Sequence, residues 1–344
     1  MHLEASNEAE LDGKYDFGRS SAKDESTGCR QPFSVSFPPQ RIHYTRRMPI
    51  LSDSTRGRLY VVAAALLWSS NGLFVKEPIF SSWPDGERGM LLGFWRALFA
   101  ALVLLPLVRA PKFSLTMIPM ALVFFGMNIT FLQSMVWTTT ANAIWLQNIA
   151  PLWVCLFARL SGEAIDRRDL TTLAFSVPGV GLILFCELYH GQWTDTAPRG
   201  VLLGFLSGLL YAITIVYLRK HRTIDSAWLI VVNLFTTALI LSPMPFRTGI
   251  WPVGHQWFWL MAFGALQLGA AYFCFARGMR HISGQEGSGI GLLEPLLGPI
   301  WVLLRYHEEP RWWTTVGGAL IFCGLAWRYL TPLIGRRRYS ADAR

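Results

Sequence analysis

Residues 90–108 read MLLGFWRALFAALVLLPLV, an apolar run broken by a single charge, Arg96. As a helix it would cover roughly 28 Å at about 1.5 Å per residue, close to the hydrocarbon thickness of a bilayer. A soluble amphipathic helix shows polar residues along one face every third or fourth position, and apart from Arg96 this run has none. The stretch predicts a transmembrane helix that buries one cation.

Working outward, nine more blocks of similar length follow the same rule. The first five blocks are Leu59 to Val75, Met90 to Val108, Ser114 to Val136, Thr138 to Phe157 and Leu170 to Leu188. The second five are Gly200 to Leu218, Ser226 to Phe246, Gln256 to Phe275, Ile282 to Leu304 and Trp312 to Leu330. Composition agrees: 52% of the 344 residues are hydrophobic and 15% charged, against roughly 25% charged in soluble domains. Trp83, Trp251, Trp257, Trp312 and Trp313 stand near block ends, where amphipathic rings suit the headgroup level.

The net charge of +9 is gathered in short clusters between blocks and not along one face, which argues for a topology signal and against a nucleic-acid partner. Alternate loops separate the cations. One set holds Arg56, Arg58, Arg109, Lys112, Arg159, Arg167, Arg168, Arg219, Lys220, Arg222, Arg277, Arg280, Arg328 and Arg336 to Arg338; the other holds only Lys76, Arg88, Arg199, Arg247, Arg305 and Arg311. The positive-inside rule then places both termini in the cytoplasm of a multi-pass protein of the plasma or inner membrane.

Four regions are expected. Residues 1–55 form a polar, disordered tail without a signal peptide, for which Met48 offers an alternative start; residues 59–190 and 198–330 form two repeats; 331–344 form a basic cytoplasmic tail. The repeats rest on a shift of about 144 residues, which lays Leu67-Trp68 near Leu210-Tyr211, Lys76 near Arg219, Met135 on Met279 and Ala150-Pro151 on Glu294-Pro295. Five helices is an odd number, so consecutive copies cross the membrane in opposite senses, the plan of many secondary transporters.

Charges within spans are the most informative positions, since each costs at least about 2.5 kcal/mol to bury in lipid. Arg96 is suited to an anionic group of a substrate, or to a structural ion pair. Glu294 precedes Pro295 and shares a helical face with Gly287, Gly291 and Gly298, which would turn it into the bundle, where it can exchange a proton or pair with Arg96. Asn71, Gln133, Asn142, Gln147 and Asn148 are polar candidates for the same interior, with Asn128, Thr130, Thr214, Asn233 and Gln267 beside them; for each, interhelical hydrogen bonding is the plainer role. Trp68, Trp145, Tyr211 and Tyr272 can wall a cavity. Pro151 and Pro295 are helix-break candidates, with Pro178 a third. Gly200, Gly204 and Gly208 mark one close-packing face of the sixth block.

The ordered motifs resemble the EamA-type permeases of the drug/metabolite transporter superfamily over about Leu59 to Leu330. The resemblance is carried by Trp68-Ser69-Ser70-Asn71, Phe94-Trp95-Arg96-Ala97, Thr140-Ala141-Asn142-Ala143, Pro151, Gly162-Glu163, Gly287 to Gly291, Leu293-Glu294-Pro295 and Glu308. It implies an all-α integral membrane protein of about ten transmembrane helices in two inverted five-helix repeats. It also implies a non-enzymatic permease that moves small polar metabolites such as amino acids by alternating access, as an exporter. Tyr306-His307-Glu308 departs from the Gly-Glu pair usual in such proteins.

The expected partners are a small-molecule substrate, protons and the lipid bilayer, in a monomer or a homodimer. No phosphate loop, H-E-x-x-H or nucleophile elbow is present, and His307-Glu308-Glu309 lacks further ligands, so neither cofactor nor metal is expected. Cys155, Cys186, Cys274 and Cys323 read as small buried apolar residues, and Cys29 stands in the tail. Two rival readings stand beside transport. An integral membrane enzyme would bring Glu294, His281 and His307 to one interfacial site, and a non-transporting receptor or assembly protein would tolerate neutral residues at Arg96 and Glu294.

Overall fold

The computed structural model describes residues 52–162, 167–190, 196–221 and 223–341. The tail over 1–51 with Cys29, then Glu163, Arg222, and the side chains of the basic C-terminal stretch lie outside the described residues.

Among the described residues there are fifteen α-helices and a few helical turns. They are α1 Asp53–Ser69, α2 Asn71–Val75, α3 Asp85–Leu104, α4 Met117–Trp137, α5 Thr140–Gln147, α6 Ala150–Leu160, α7 Arg167–His190 and α8 Ala197–Lys220. Then come α9 Ser226–Leu241, α10 Pro243–Thr248, α11 Gln256–Ala262, α12 Ala271–Gly278, α13 Gly284–Gly291, α14 Leu293–Tyr306 and α15 Trp312–Ala341. Grouped by continuity, nine units among the described residues are long and apolar enough to cross a membrane, from 53–75 to 286–306. The tenth block lies in α15, where Trp312, Trp313, Trp327 and Arg328 dilute its apolar character. The molecule is thus an all-α membrane protein with a twofold repeat, and its ordinal spans below follow the ten blocks.

Side chains start several spans by accepting the helix's unpaired amide hydrogens. Ser52 Oγ accepts from Thr55 N, Thr139 Oγ1 from Asn142 N, Asp225 from Ala227 N, and Ser283 Oγ from Glu286 N. Asp225 also accepts from the amides of Arg109 and Ala110, which ties the second span's exit to the start of the seventh. Slight burial pulls the Asp225 carboxyl upward, but the three backbone amides and the Arg109 charge win and hold it below its usual value. A carboxylate held low stabilises the fold above the usual carboxylate range and loses that contribution as pH falls through its lowered value. Asp225→Asn is therefore expected to melt earlier than the parent in detergent at pH 7, with the gap closing on acidification below about pH 4.

Glycines set the closest helix contacts. A side chain at Gly179 would meet Gly317 O at 2.6 Å and one at Gly317 would meet Gly179 O at 2.6 Å, so α7 and α15 touch backbone to backbone. The stripe on α8 presses Gly200 against Trp137 and Thr138, Gly204 against Ser134 and Leu146, and Gly208 against Leu146 O at 2.5 Å. These contacts trade side-chain volume for dispersion between backbones, which drives helix association where lipid removes the hydrophobic term.

The fourth and ninth spans are each interrupted, at Asn148–Ile149 and at Leu292. The 144-residue shift lays α5 onto α13, Thr140–Gln147 onto Gly284–Gly291, so the interruption recurs at one place in both repeats. Pro151 occupies the first turn of α6 and Pro295 the first turn of α14, where a missing N–H costs nothing. Pro178 sits inside the continuous α7. Where the sequence departs from Gly-Glu, His307 ends α14 at φ 55°, the left-handed backbone that glycine adopts without penalty. His307→Gly is expected to stabilise the protein by about 1 kcal/mol, read as a higher melting temperature in detergent; a lower one would mean that the imidazole itself holds the turn.

Some expectations need correction. Trp83 and Trp313 are buried, unlike the exposed Trp251 and Trp312: Trp83 packs on Phe80, and the Trp313 indole donates to Glu187 Oε1. Of the four span cysteines, Cys155 and Cys186 are buried, Cys274 is intermediate and Cys323 exposed, since Cys323 falls on the outward face of α15.

Candidate functional site

The site grows from the second and eighth spans. α3 carries Arg96 at the level of a π-helical stretch, Phe263–Ala270, in the eighth span. Such wide turns are rare and often mark functional positions. Gly264 permits the contact, because a side chain there would strike Phe99 Cβ at 2.5 Å and Arg96 O at 2.7 Å. The guanidinium lies 4.9 Å from the Phe263 ring centroid, a cation–π contact.

Arg96 is 5% exposed, and its Nε and Nη1 atoms are buried without any hydrogen-bond partner. The ion pairs described lie elsewhere, at Arg58–Glu286, Lys76–Glu308 and Arg88–Asp85. Arg96 and Glu294 therefore make no ion-pair contact but lie within electrostatic range of each other, with Tyr272 and Tyr211 in the same field. Three buried amide oxygens are orphaned as well, Asn71 Oδ1, Asn233 Oδ1 and Gln267 Oε1, while Gln267 Nε2 donates to Trp68 O at 3.2 Å. Native interiors leave few such groups unsatisfied, and those they leave commonly await water, an ion or a ligand.

Aromatic side chains wall this region. Trp68 packs edge-on to Tyr272 at 5.3 Å and on Phe275 at 5.2 Å, and Phe263 stacks on Phe74 at 5.0 Å. Tyr211 shares the field of Glu294, Tyr272 and Tyr329 and keeps 38% of its surface accessible. Arg96, Glu294, Tyr211 and Tyr272 thus share one region of the bundle, with Trp68 packed on Tyr272, while Asn71, close to Trp68 in sequence, is buried. A recess of about 510 Å³ lined by Glu87, Met244 and Arg247 is separate, at the end of the second span away from this centre.

Other candidates are occupied elsewhere. Gln133 accepts from Gly89 N at 3.1 Å and donates to Asp85 O at 2.6 Å, which locks α4 to the start of α3. Asn142 donates to Glu187 Oε1 at 2.8 Å and accepts from Thr314 at 2.7 Å, while Trp313 donates to the same carboxylate at 3.0 Å. Asn148 donates to Ile144 O and ends α5, and Gln147 is half-buried beside it. Asn128, Thr130 and Thr214 donate back to carbonyls of their own helices, so they join no neighbour by these bonds. The shared glycine face of Glu294 is interrupted at Leu292: Gly298 packs on Ile144, Gly287 on Met279, and Gly291 meets nothing within 4 Å.

Sequence reasoning missed Glu187 and the π-helix. Glu187 is the one carboxylate in the block from Leu170 to Leu188, and its meeting with Asn142 and Trp313 depends on how the helices dock.

Residues 55–185 match the EamA-like transporter family, and residues 198–330 match it again. The chain belongs to this family. Among EamA-like relatives, an uncharacterized transporter of Archaeoglobus fulgidus is 26% identical over 279 residues, covering 79% of this chain and 96% of that protein. The biotin transporter of Escherichia coli K12 is 25% identical over 310 residues, 83% of this chain and 96% of its own length. The aromatic amino acid exporter YddG of Ancylobacter novellus is 21% identical over 215 residues, 62% of this chain and 74% of that protein. A solved crystal structure superposes with a TM-score of 0.55 at 20% identity, covering 81% of this chain and 97% of that one, a likeness of fold. This EamA-like protein is therefore a multi-pass membrane transporter with a small-molecule substrate. The convergence that the enzyme reading requires is not seen: His281 and His307 stand at opposite ends of the ninth span, with Glu294 between them.

Proposed function

We propose that this chain is a secondary transporter that exports small polar metabolites carrying an anionic group, amino acids among them, by alternating access. The observation that carries the reading is the buried guanidinium of Arg96 with two unpartnered nitrogens. A carboxylate docked there would receive charge-assisted hydrogen bonds in a dry site, where they are strongest. The names of the relatives agree in kind, since biotin and the aromatic amino acids are carboxylates with a ring-bearing body.

Glu294 takes the second role. A carboxylate in the field of Arg96 but out of contact with it can bind a proton when the anionic substrate leaves and release it when the substrate arrives, which couples flux to a pH gradient. The working unit comprises the two repeats, 59–190 and 198–330, each with an interrupted fourth helix. Both termini face the cytoplasm in a plasma or inner membrane, as the cation bias argues.

Counterflow in proteoliposomes tests the reading, because it needs neither ATP nor an ion gradient, only the loaded solute itself. Vesicles loaded with a small amino acid or monocarboxylate are expected to accumulate its labelled form transiently and saturably. No counterflow with any of a panel of zwitterionic, anionic and neutral metabolites would sink it.

A further inference from the structure

One carboxylate ties three helix ends together where the first span finishes. Glu308 Oε2 lies 3.0 Å from Lys76 Nζ, and Glu308 Oε1 accepts from Thr140 N at 2.6 Å, the first amide of α5. Lys76 Nζ also donates to Thr138 O at 2.9 Å. Beside it, the Tyr306 hydroxyl lies 2.8 Å from Leu73 O and 2.6 Å from Glu77 Oε2. Lys76, Glu77 and Thr140 belong to the first repeat and Tyr306 and Glu308 to the second, so every one of these bonds except Lys76 to Thr138 crosses between repeats. Beneath the cluster, Gly298 of α14 packs on Ile144 of α5, and α5 is buried from Thr140 through Leu146.

On the opposite face the corresponding half-helix is less buried. There α13 occupies the place in the second repeat that α5 occupies in the first, yet only Gly287 among its described side chains is buried, and Gly291, the counterpart of Gln147, faces open space. Arg58 pairs with Glu286 and holds α13 against α1. Two equivalent half-helices thus sit in unequal surroundings, one buried along nearly its whole length and one not, as expected of a single state of a two-state device.

We infer that Glu308, with Lys76 and the Thr140 amide, is the gate of the Lys76 face, closed in this state and released once in each transport cycle. The inference rests on the alternating-access reading. The latch is suited to release: its two charged side chains remain 22% and 21% accessible, so water can take over their partners when it opens. The left-handed His307 next to Glu308 aims the carboxylate back across the repeat boundary and sets the reach of the latch.

Labelling in sealed vesicles tests the gate without measuring transport. The probe is an impermeant maleimide applied from the Lys76 face to Ile144→Cys, and from the Arg58 face to Gly291→Cys, each read against the parent chain. Adding Glu308→Ala is expected to speed labelling at position 144 roughly five- to thirtyfold, the change in a two-state ratio that loss of one such contact gives, and to slow it at 291. Glu308→Gln, which keeps an oxygen for Thr140 N–H but not the ion pair, should fall between; Lys76→Met should behave like it and serves if Glu308→Ala does not fold. Unchanged labelling at both positions in a folded variant would make the cluster a static brace and overturn the gate, and so would faster labelling at both positions at once. A chain that passes this test but shows no counterflow would overturn the transport reading alone.

Discussion

Arg96→Ala is expected to lower counterflow of a carboxylate solute roughly a hundredfold while the protein stays folded, since losing one partner of a desolvated charge pair costs about 2–5 kcal/mol of binding. Arg96→Lys should lose nearly as much, because an ammonium offers neither the planar fork nor the same reach. The stability of these variants separates a binding role from a structural one. A guanidinium whose Nε and Nη1 find no partner in the protein is a burden on the folded state. Arg96→Met is therefore expected to melt at the same temperature as the parent or higher, and yet to transport nothing. A structural arginine would show the reverse, with a marked drop in melting temperature.

Gly208→Leu is expected to have the largest effect on folding, a loss of about 3 kcal/mol or more. The new side chain would start 2.5 Å from Leu146 O and 2.8 Å from Ile149 Cγ1, at the point where α5 gives way to α6. Neither atom is the free end of a flexible chain, so the sixth span must move away from the fourth. The measurement is the melting temperature in detergent beside Gly181→Ala. Gly181 meets nothing within 4 Å and lies in a helix, so alanine there should be neutral or slightly stabilising. Equal melting of Gly208→Leu and the parent would show that α8 does not need this approach.

The architecture was legible because lipid leaves so few solutions: uninterrupted apolar length means a span, an odd number of spans per copy means inversion, and glycines four apart mean close contact, as α8 shows. Charges that stand alone in apolar runs, Arg96 and Glu294, were legible as candidates for a site. Uncharged polar residues were not, because sequence cannot say whether an amide faces a cavity or its own backbone. Gln133 binds the start of α3, Asn128 its own helix, and Asn142 a carboxylate that was overlooked. The latch also lay beyond sequence reasoning: Lys76 and Glu308 are 232 residues apart, and their meeting depends on how the repeats dock. The departure at His307 drew notice as a loss of pattern, yet the backbone keeps the glycine conformation.

Substrate export coupled to protons through Glu294 is checked by flux from proteoliposomes under an imposed pH gradient, comparing the parent with Glu294→Gln. Gradient-driven flux is expected in the parent and none in Glu294→Gln, which should still exchange solute in counterflow because Arg96 is intact. Gradient-driven flux that survives in Glu294→Gln would contradict it, and so would parent flux indifferent to the gradient.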